Sequence, residues 1–252
     1  MIAKSKKEKE FLKKSGQILA RILMMLEREI KPGAEASKLD IVAEREIKKY
    51  GAAPSFKNYS EGKTSPYPAS ICVSINDEIV HGIPGKKVFK NGDVVSLDLG
   101  VNYKGFFTDG ASTVIVGEGD EKSKKLVEVC RASLVVALKK CKAGVHVGDI
   151  GHAVESFVEE SGFKVFRELV GHGVGRAVHE NPQIPNWGTA GAGEKLKEGM
   201  VLAIEPMISE GEAKIILDAD GWTYRTKDGS RAAHFEHTVL IKKDGCEILT
   251  KS

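Results

Sequence analysis

Apolar residues recur at helical spacing between residues 8 and 30. Phe11, Ile18, Leu19, Ile22, Leu23 and Leu26 fall on one face, and Pro32-Gly33 closes the run. The same period predicts a second helix from Ala36 or Ser37 to Tyr50, stopped by Gly51. Residues 52–68 are rich in Pro, Ser, Asn and Gly and read as irregular. Short apolar runs then predict strands at 71–75, 94–99 and 113–116. Helices follow over about 122–141 and 147–160. The remainder reads as strands and turns at 200–206, 214–217, 222–225 and 233–241. This is a mixed α+β pattern in which no long linker separates two folding units, so residues 1–252 are expected to form one domain.

Composition narrows the class without choosing a function. At 252 residues, 41% hydrophobic and 29% charged, the chain is that of a folded protein, not a disordered one. A net charge of +3 is small and gives no reason to expect nucleic acid. The basic run Lys4, Lys6, Lys7, Lys9, Lys13 and Lys14 reads as a solvated helix face. No apolar stretch follows a basic tip and no apolar run approaches ~20 residues, so neither a secretory signal nor a membrane span is expected. Cys72, Cys130, Cys141 and Cys246 are scattered, with no C-x-x-C pair. That argues against a disulfide framework and a cysteine zinc site, and for reduced thiols in a cytoplasmic protein.

One internal echo carries chemistry. Gly92-Asp93-Val94-Val95-Ser96-Leu97-Asp98 resembles Gly199-Met200-Val201-Leu202-Ala203-Ile204-Glu205: a glycine, a mainly apolar strand, then a carboxylate. Two buried strands can look alike by chance. A carboxylate ending both is harder to dismiss, because burying an unpaired charge is costly. The echo suggests two related halves that donate acids to a shared centre. In the first half, Asn102-Tyr103-Lys104-Gly105 looks like a hairpin loop, which would set Asp98 nearly opposite Asp109 on one face. Two facing carboxylates repel unless a proton or cation lies between them, and a metal is the simpler resolution.

In the second half, Gly171-His172-Gly173-Val174-Gly175-Arg176 sets a histidine among glycines that discourage helix and allow close backbone approach. Alone, His172 would pass for a structural residue. With Asp98, Asp109, Glu205 and Glu236 it completes one imidazole and four carboxylates, a set suited to two hard or borderline divalent ions. Strand alternation puts His234 on the face of Glu236, against the wall of such a site, and turns His237 away into a structural role. His81, on a Gly/Pro-punctuated loop, is weak evidence by itself.

The ordered motifs His81-Gly-Ile-Pro, Asp98-Leu-Gly, Thr108-Asp109, Gly171-His172-Gly-Val-Gly-Arg, His179-Glu-Asn-Pro, Ile204-Glu205-Pro and Glu236-His-Thr resemble the type I methionine aminopeptidases over nearly the whole chain. The resemblance implies the α+β pita-bread fold: two pseudo-symmetric halves with a curved antiparallel sheet around a dimetal site. It implies N-terminal helices over about 8–50 and a catalytic core over about 70–250. Asp98, Asp109, His172, Glu205 and Glu236 would bind two divalent ions (manganese, iron or cobalt), with Asp109 and Glu236 bridging. His81 and His179 would be the catalytic histidines, Glu205 would also shuttle a proton, and Tyr67, Cys72 and Trp222 would form the methionine pocket. The implied activity is removal of the initiator methionine from nascent polypeptides, by a monomer, preferring a small second residue. Transient ribosome contact by the basic N-terminal helix is left open.

Two departures bear on the pocket. Val178 stands where many bacterial members have Phe, and residues 58–66 lack the Tyr-His-Gly-like sequence expected before Tyr67. Two alternatives remain: a proline-specific aminopeptidase of the same fold, which would normally carry an extra N-terminal domain, and an inactive pita-bread binding module, which would typically have lost metal ligands.

Overall fold

The computed structural model describes residues 1–251 other than Glu61, Lys63 and Thr64. Helix α1 (Lys6–Glu27) begins at a reciprocal capping box: the Glu8 amide donates to Ser5 Oγ at 3.2 Å, and the Ser5 amide donates to Glu8 Oε2 at 2.8 Å. Its apolar stripe, Ile18, Leu19, Ile22 and Leu26, is buried against Leu39, Ala43 and Ile47 of α2 (Ala36–Lys49). The strands that follow are β1 (Ala53–Pro54), β2 (Ile71–Ile75), β3 (Glu78–Val80), β4 (Val94–Tyr103) and β5 (Phe106–Ile115), and the same cluster takes in β2 and β4 through Ile71, Val73, Val95, Leu97 and Leu99. Strand β4 pairs antiparallel with β5 along its length and, on its other side, with β2 and β1.

The second half repeats the plan. Helices α3 (Glu121–Lys140) and α4 (Val147–Glu160) cover a five-stranded antiparallel sheet. Its strands are β7 (Val170–Gly173), β8 (Glu180–Pro185), β9 (Val201–Ile204), β14 (His237–Lys242) and β15 (Gly245–Ile248), in the order β15-β14-β9-β7-β8. Short strands complete the fold. β6 (Lys164–Val165), β10 (Met207–Ser209) and β13 (Ala232–His234) form one sheet, and β11 (Ile215–Leu217) and β12 (Tyr224–Thr226) join β3 in another.

The echo in the sequence is an echo in the backbone. Gly92 and Gly199 both take a left-handed conformation, at φ 89° and 86°, ahead of β4 and β9. Each donates its amide across to the partner strand's end, Gly92 to Val116 and Gly199 to Ile241. Val116 and Ile241 return a bond to the residues after those glycines, Asp93 and Met200. Register then pairs Asp98 with Ala111, and one step beyond the Ile204–His237 pair it brings Glu205 toward Glu236.

The halves meet where β5 approaches the start of β14. Ala111 and Glu236 exchange backbone bonds at 2.9 and 3.4 Å. Thr238 Oγ1 accepts from the Asp109 amide at 2.8 Å and donates to its carbonyl at 2.7 Å. Thr113 Oγ1 in turn accepts from the His234 amide and donates to its carbonyl. The seam therefore sets a carboxylate of each half side by side.

Three local expectations need revision. The loop expected at 102–105 shrinks to Lys104-Gly105, both at positive φ (54° and 82°), the signature of a tight hairpin that lets β4 and β5 run ten residues each. Asp98 and Asp109 are not directly opposite, because Asp109 pairs with Gly100; they sit diagonally on one face. The close approach expected of the glycines at 171–173 is present: they lie in strand β7, where a Cβ on Gly171 or Gly173 would collide with the carbonyl of Ala203 or Asn181. The single strand expected at 233–241 is two, β13 and β14, in different sheets, with Phe235 and Glu236 at the bend between them.

Candidate active site

The expected metal ligands, the two catalytic histidines and Tyr67, Cys72 and Trp222 all line one cavity of about 530 Å³. Its floor is acidic. Asp98 comes from β4, Asp109 from β5, Glu205 from the end of β9 and Glu236 from the bend before β14, all buried. His172, from β7, brings Nε2 to 3.3 Å from Glu205 Oε1 and 4.0 Å from Asp109 Oδ2. Single ligand atoms of Asp98, Asp109 and Glu236 lie within 4.8 Å of one another, as do those of His172, Glu205 and Glu236.

The electrostatics point to cations. Burial, then Asp109 and Glu205, push Asp98 well above the usual carboxylate range. Burial and Asp109 do the same to Glu205, and burial with the three other acids does so to Glu236. Burial raises Asp109 to about 6. Asp98 Oδ1, Glu205 Oε1 and Glu236 Oε1 are buried with no hydrogen-bond partner among the described residues. Acceptor oxygens left dry and unbonded are destabilising unless a cation meets them. The donor set, oxygen-rich with one imidazole, fits divalent ions. His172 is prepared for the same role. Its Nδ1 donates to the Gly173 carbonyl at 2.8 Å, which leaves an Nε2 lone pair facing the carboxylates, and burial lowers its pKa to about 3, so it stays neutral.

Three other imidazoles surround this floor. His234 Nε2 stands 3.5 Å from Glu205 Oε2 and 3.9 Å from Glu236 Oε2, beside the acids as expected, although the bend after β13, not alternation along one strand, puts it there. Burial lowers its pKa to about 3. His81 follows β3 with φ 58°, a left-handed backbone that is uncommon outside glycine, and its ring packs beside Trp222 and Tyr224. The next residue must be glycine, since a Cβ on Gly82 would meet the Val73 carbonyl. His179 stacks edge-to-face on His172 with centroids 4.4 Å apart. Glu180, next in the chain, holds that loop: it accepts from the Arg176 and Ala177 amides and pairs with the Met1 ammonium at 2.6 Å. His237 lies away from the acids, with Nδ1 3.0 Å from Thr250 Oγ1.

The apolar wall is one cluster. Tyr67, Cys72 and Trp222 pack with Phe56, Ala69 and Val178, and the Tyr67 and Trp222 rings meet at 5.3 Å. The Tyr67 hydroxyl reaches the carbonyls of Gly82 and Ile71, tying this wall to the His81 loop. Burial pushes the Cys72 thiol up, so it stays neutral. Of the unusual stretch 58–66, Glu61, Lys63 and Thr64 lie outside the described residues.

Sequence reasoning missed three contributors. Tyr59 sets its hydroxyl 2.7 Å from His179 Nδ1, Asn186 Nδ2 donates to the Glu205 carbonyl at 2.9 Å, and Thr238 bonds Asp109. Only Thr238 left a signal, as the last residue of the Glu236-His-Thr motif.

The sequence profile of metallopeptidase family M24 matches residues 10–243. "Methionine aminopeptidase 1" of Bacillus subtilis is 46% identical over 251 residues, covering 100% of this chain and 99% of the relative. The methionine aminopeptidase of Aquifex aeolicus is also 46% identical, covering 98% and 97%. The crystal structure of the Thermotoga maritima methionine aminopeptidase superposes with a TM-score of 0.96 at 49% identity, covering 100% of both chains. Prolidase from Pyrococcus furiosus superposes at 0.80 and 26% identity, with this chain spanning 66% of its length.

Proposed function

The chain belongs to metallopeptidase family M24, and from that membership we infer that it is a methionine aminopeptidase, hydrolysing the bond that follows an N-terminal methionine. The observation that carries this is the convergence of the buried acidic floor and the Tyr67–Cys72–Trp222 wall on one cavity. The Pyrococcus furiosus prolidase shares the fold at 26% identity and a TM-score of 0.80, whereas the Thermotoga maritima methionine aminopeptidase superposes at 49% and 0.96.

Asp98, Asp109, His172, Glu205 and Glu236 would hold two divalent ions. Manganese, iron and cobalt all suit these donors. Such ions would supply Lewis-acid polarisation of the scissile carbonyl and make water a better nucleophile. Glu205 lines the same cavity and would take a proton from the attacking water. His81 and His179 face the same cavity and would donate hydrogen bonds to the substrate amide and to the charge that develops on its oxygen. The thioether would lie against the aromatic rings and the neutral Cys72 thiol, a soft and polarisable surface. The natural substrates are the N-termini of nascent chains, and the compartment is the cytoplasm.

The test compares Met-Ala-Ser with Xaa-Pro peptides, with and without chelator. Release of methionine that chelator stops and divalent metal restores is the expected result. Cleavage of Xaa-Pro alone would make this a proline-specific enzyme, and no cleavage of either would make it a binding module.

A further inference from the structure

His172 and His179 stand ring against ring, and one ligand atom of each lies within 4.8 Å of the other and of one from Asp109. By position either could coordinate a metal. What separates them is the partner of the far ring nitrogen. Nδ1 of His172 faces a carbonyl, which only accepts, so Nδ1 carries the proton and Nε2 offers a lone pair. Nδ1 of His179 faces the Tyr59 hydroxyl at 2.7 Å, and a hydroxyl can donate.

We propose that Tyr59 donates its hydroxyl proton to His179 Nδ1 and thereby fixes the Nε2–H tautomer, making His179 a donor to substrate and withholding it from the metal ligands. The direction follows from acidity. A phenol O–H is more acidic than a neutral imidazole N–H, and an imidazole nitrogen is more basic than a phenol oxygen, so O–H···N is the stronger arrangement. A 2.7 Å separation is at the short end for such a bond. Tyr59 is itself held. Its amide donates to the Phe56 carbonyl at 2.8 Å, its carbonyl accepts from the Tyr67 amide at 2.7 Å, and its ring meets His179 edge-on at 5.2 Å. Two neighbouring imidazoles thus take opposite tautomers because one leans on a carbonyl and the other on a phenol. Tyr59 is a positioning residue, acting through His179.

The proposal rests on the reading of His179 as a group that touches substrate, and the experiment keeps the two separable. Full-length protein with 15N-labelled histidine, loaded with diamagnetic zinc, is studied by two-bond 1H–15N correlation, with His179→Gln used to assign the resonances. The expected wild-type result is a proton on Nε2 of His179 and on Nδ1 of His172. A His179 proton on Nδ1 overturns the proposal whether or not the enzyme cleaves methionyl peptides. In Tyr59→Phe, which keeps the ring, the fixed tautomer should be lost, and kcat should fall about 10-fold, the scale of one hydrogen bond, with KM within about twofold. Unchanged kcat and an unchanged His179 spectrum in that variant would also overturn it. Should the variant fail to fold, the wild-type spectrum decides alone.

Discussion

At the scale of single residues, the site separates groups that bind metal from groups that act on substrate. Asp109 and Glu236 touch each other's neighbours across the seam and are both buried, so neither can be lost without uncovering the other acids. Glu236→Ala should abolish turnover while leaving a cooperatively folded protein. Activity assays after chelation and metal return, alongside thermal unfolding, check this, and full activity would remove Glu236 from the ligand set. His179 is different, since its Nδ1 faces the Tyr59 hydroxyl where that of His172 faces a carbonyl. His179→Ala should keep near-normal metal stoichiometry by elemental analysis and lose about 10²-fold or more in rate, the scale of a positioned acid–base group. A large loss of bound metal would instead make it a ligand. Sequence alone named both roles by resemblance, but it could not see Tyr59, because the contact joins residues 120 apart in the chain.

At the scale of elements, the decisive feature is the seam between β5 and β14. Neither strand continues the other's sheet, and Thr238 bridges the gap with one hydroxyl that serves both backbone groups of Asp109. Thr238→Val keeps the shape and leaves those groups without that partner in a dry place. The expected cost is about 1–3 kcal/mol in denaturant unfolding, together with weaker metal binding, because Asp109 is no longer held beside Glu236. Thr238→Ser should recover most of both. A valine variant as stable and as metal-avid as wild type would show that the seam does not position the acids. The strands themselves were legible from apolar runs. Their length was not, because the Lys104-Gly105 turn that allows ten-residue pairing depends on backbone conformations that a loop-like sequence only permits.

At the scale of the molecule, two halves are held around a centre that their own charges oppose. Asp109, raised from 3.8 to about 6, binds its proton more tightly folded than unfolded. Its contribution to stability is therefore present in full below about 3.8 and lost as pH rises through about 6. Asp98, Glu205 and Glu236 act in the same direction. Divalent ion should thus raise the unfolding midpoint more at pH 7.5 than at pH 5, measured as the difference from chelated protein at each pH. An equal rise at both would count against an electrostatically strained centre. The cavity also bears on specificity. Its apolar wall should accept norleucine in place of methionine, since one methylene or its equivalent is worth only about 1–3 kcal/mol. The loops of His81 and His179 should crowd the next residue, so Met-Ala, Met-Ser and Met-Gly peptides should be cut well and Met-Lys poorly. Equal rates for Ala and Lys would show that Val178, within this wall, relaxes the small-residue rule. Periodicity and apolar runs determined the four helices and strands β2, β4, β5, β9 and β14, because burying an apolar stripe leaves its spacing in the chain, while β7, β8 and β15 left no such run. The paired carboxylate-ending strands were equally visible, because a buried acid is rare enough to stand out. The diagonal placement of Asp98 and Asp109, the seam, and the tautomer-setting partners of His172 and His179 came only with the tertiary structure. Each depends on register or on which backbone group lies opposite, and local sequence does not encode what another part of the chain brings to meet it.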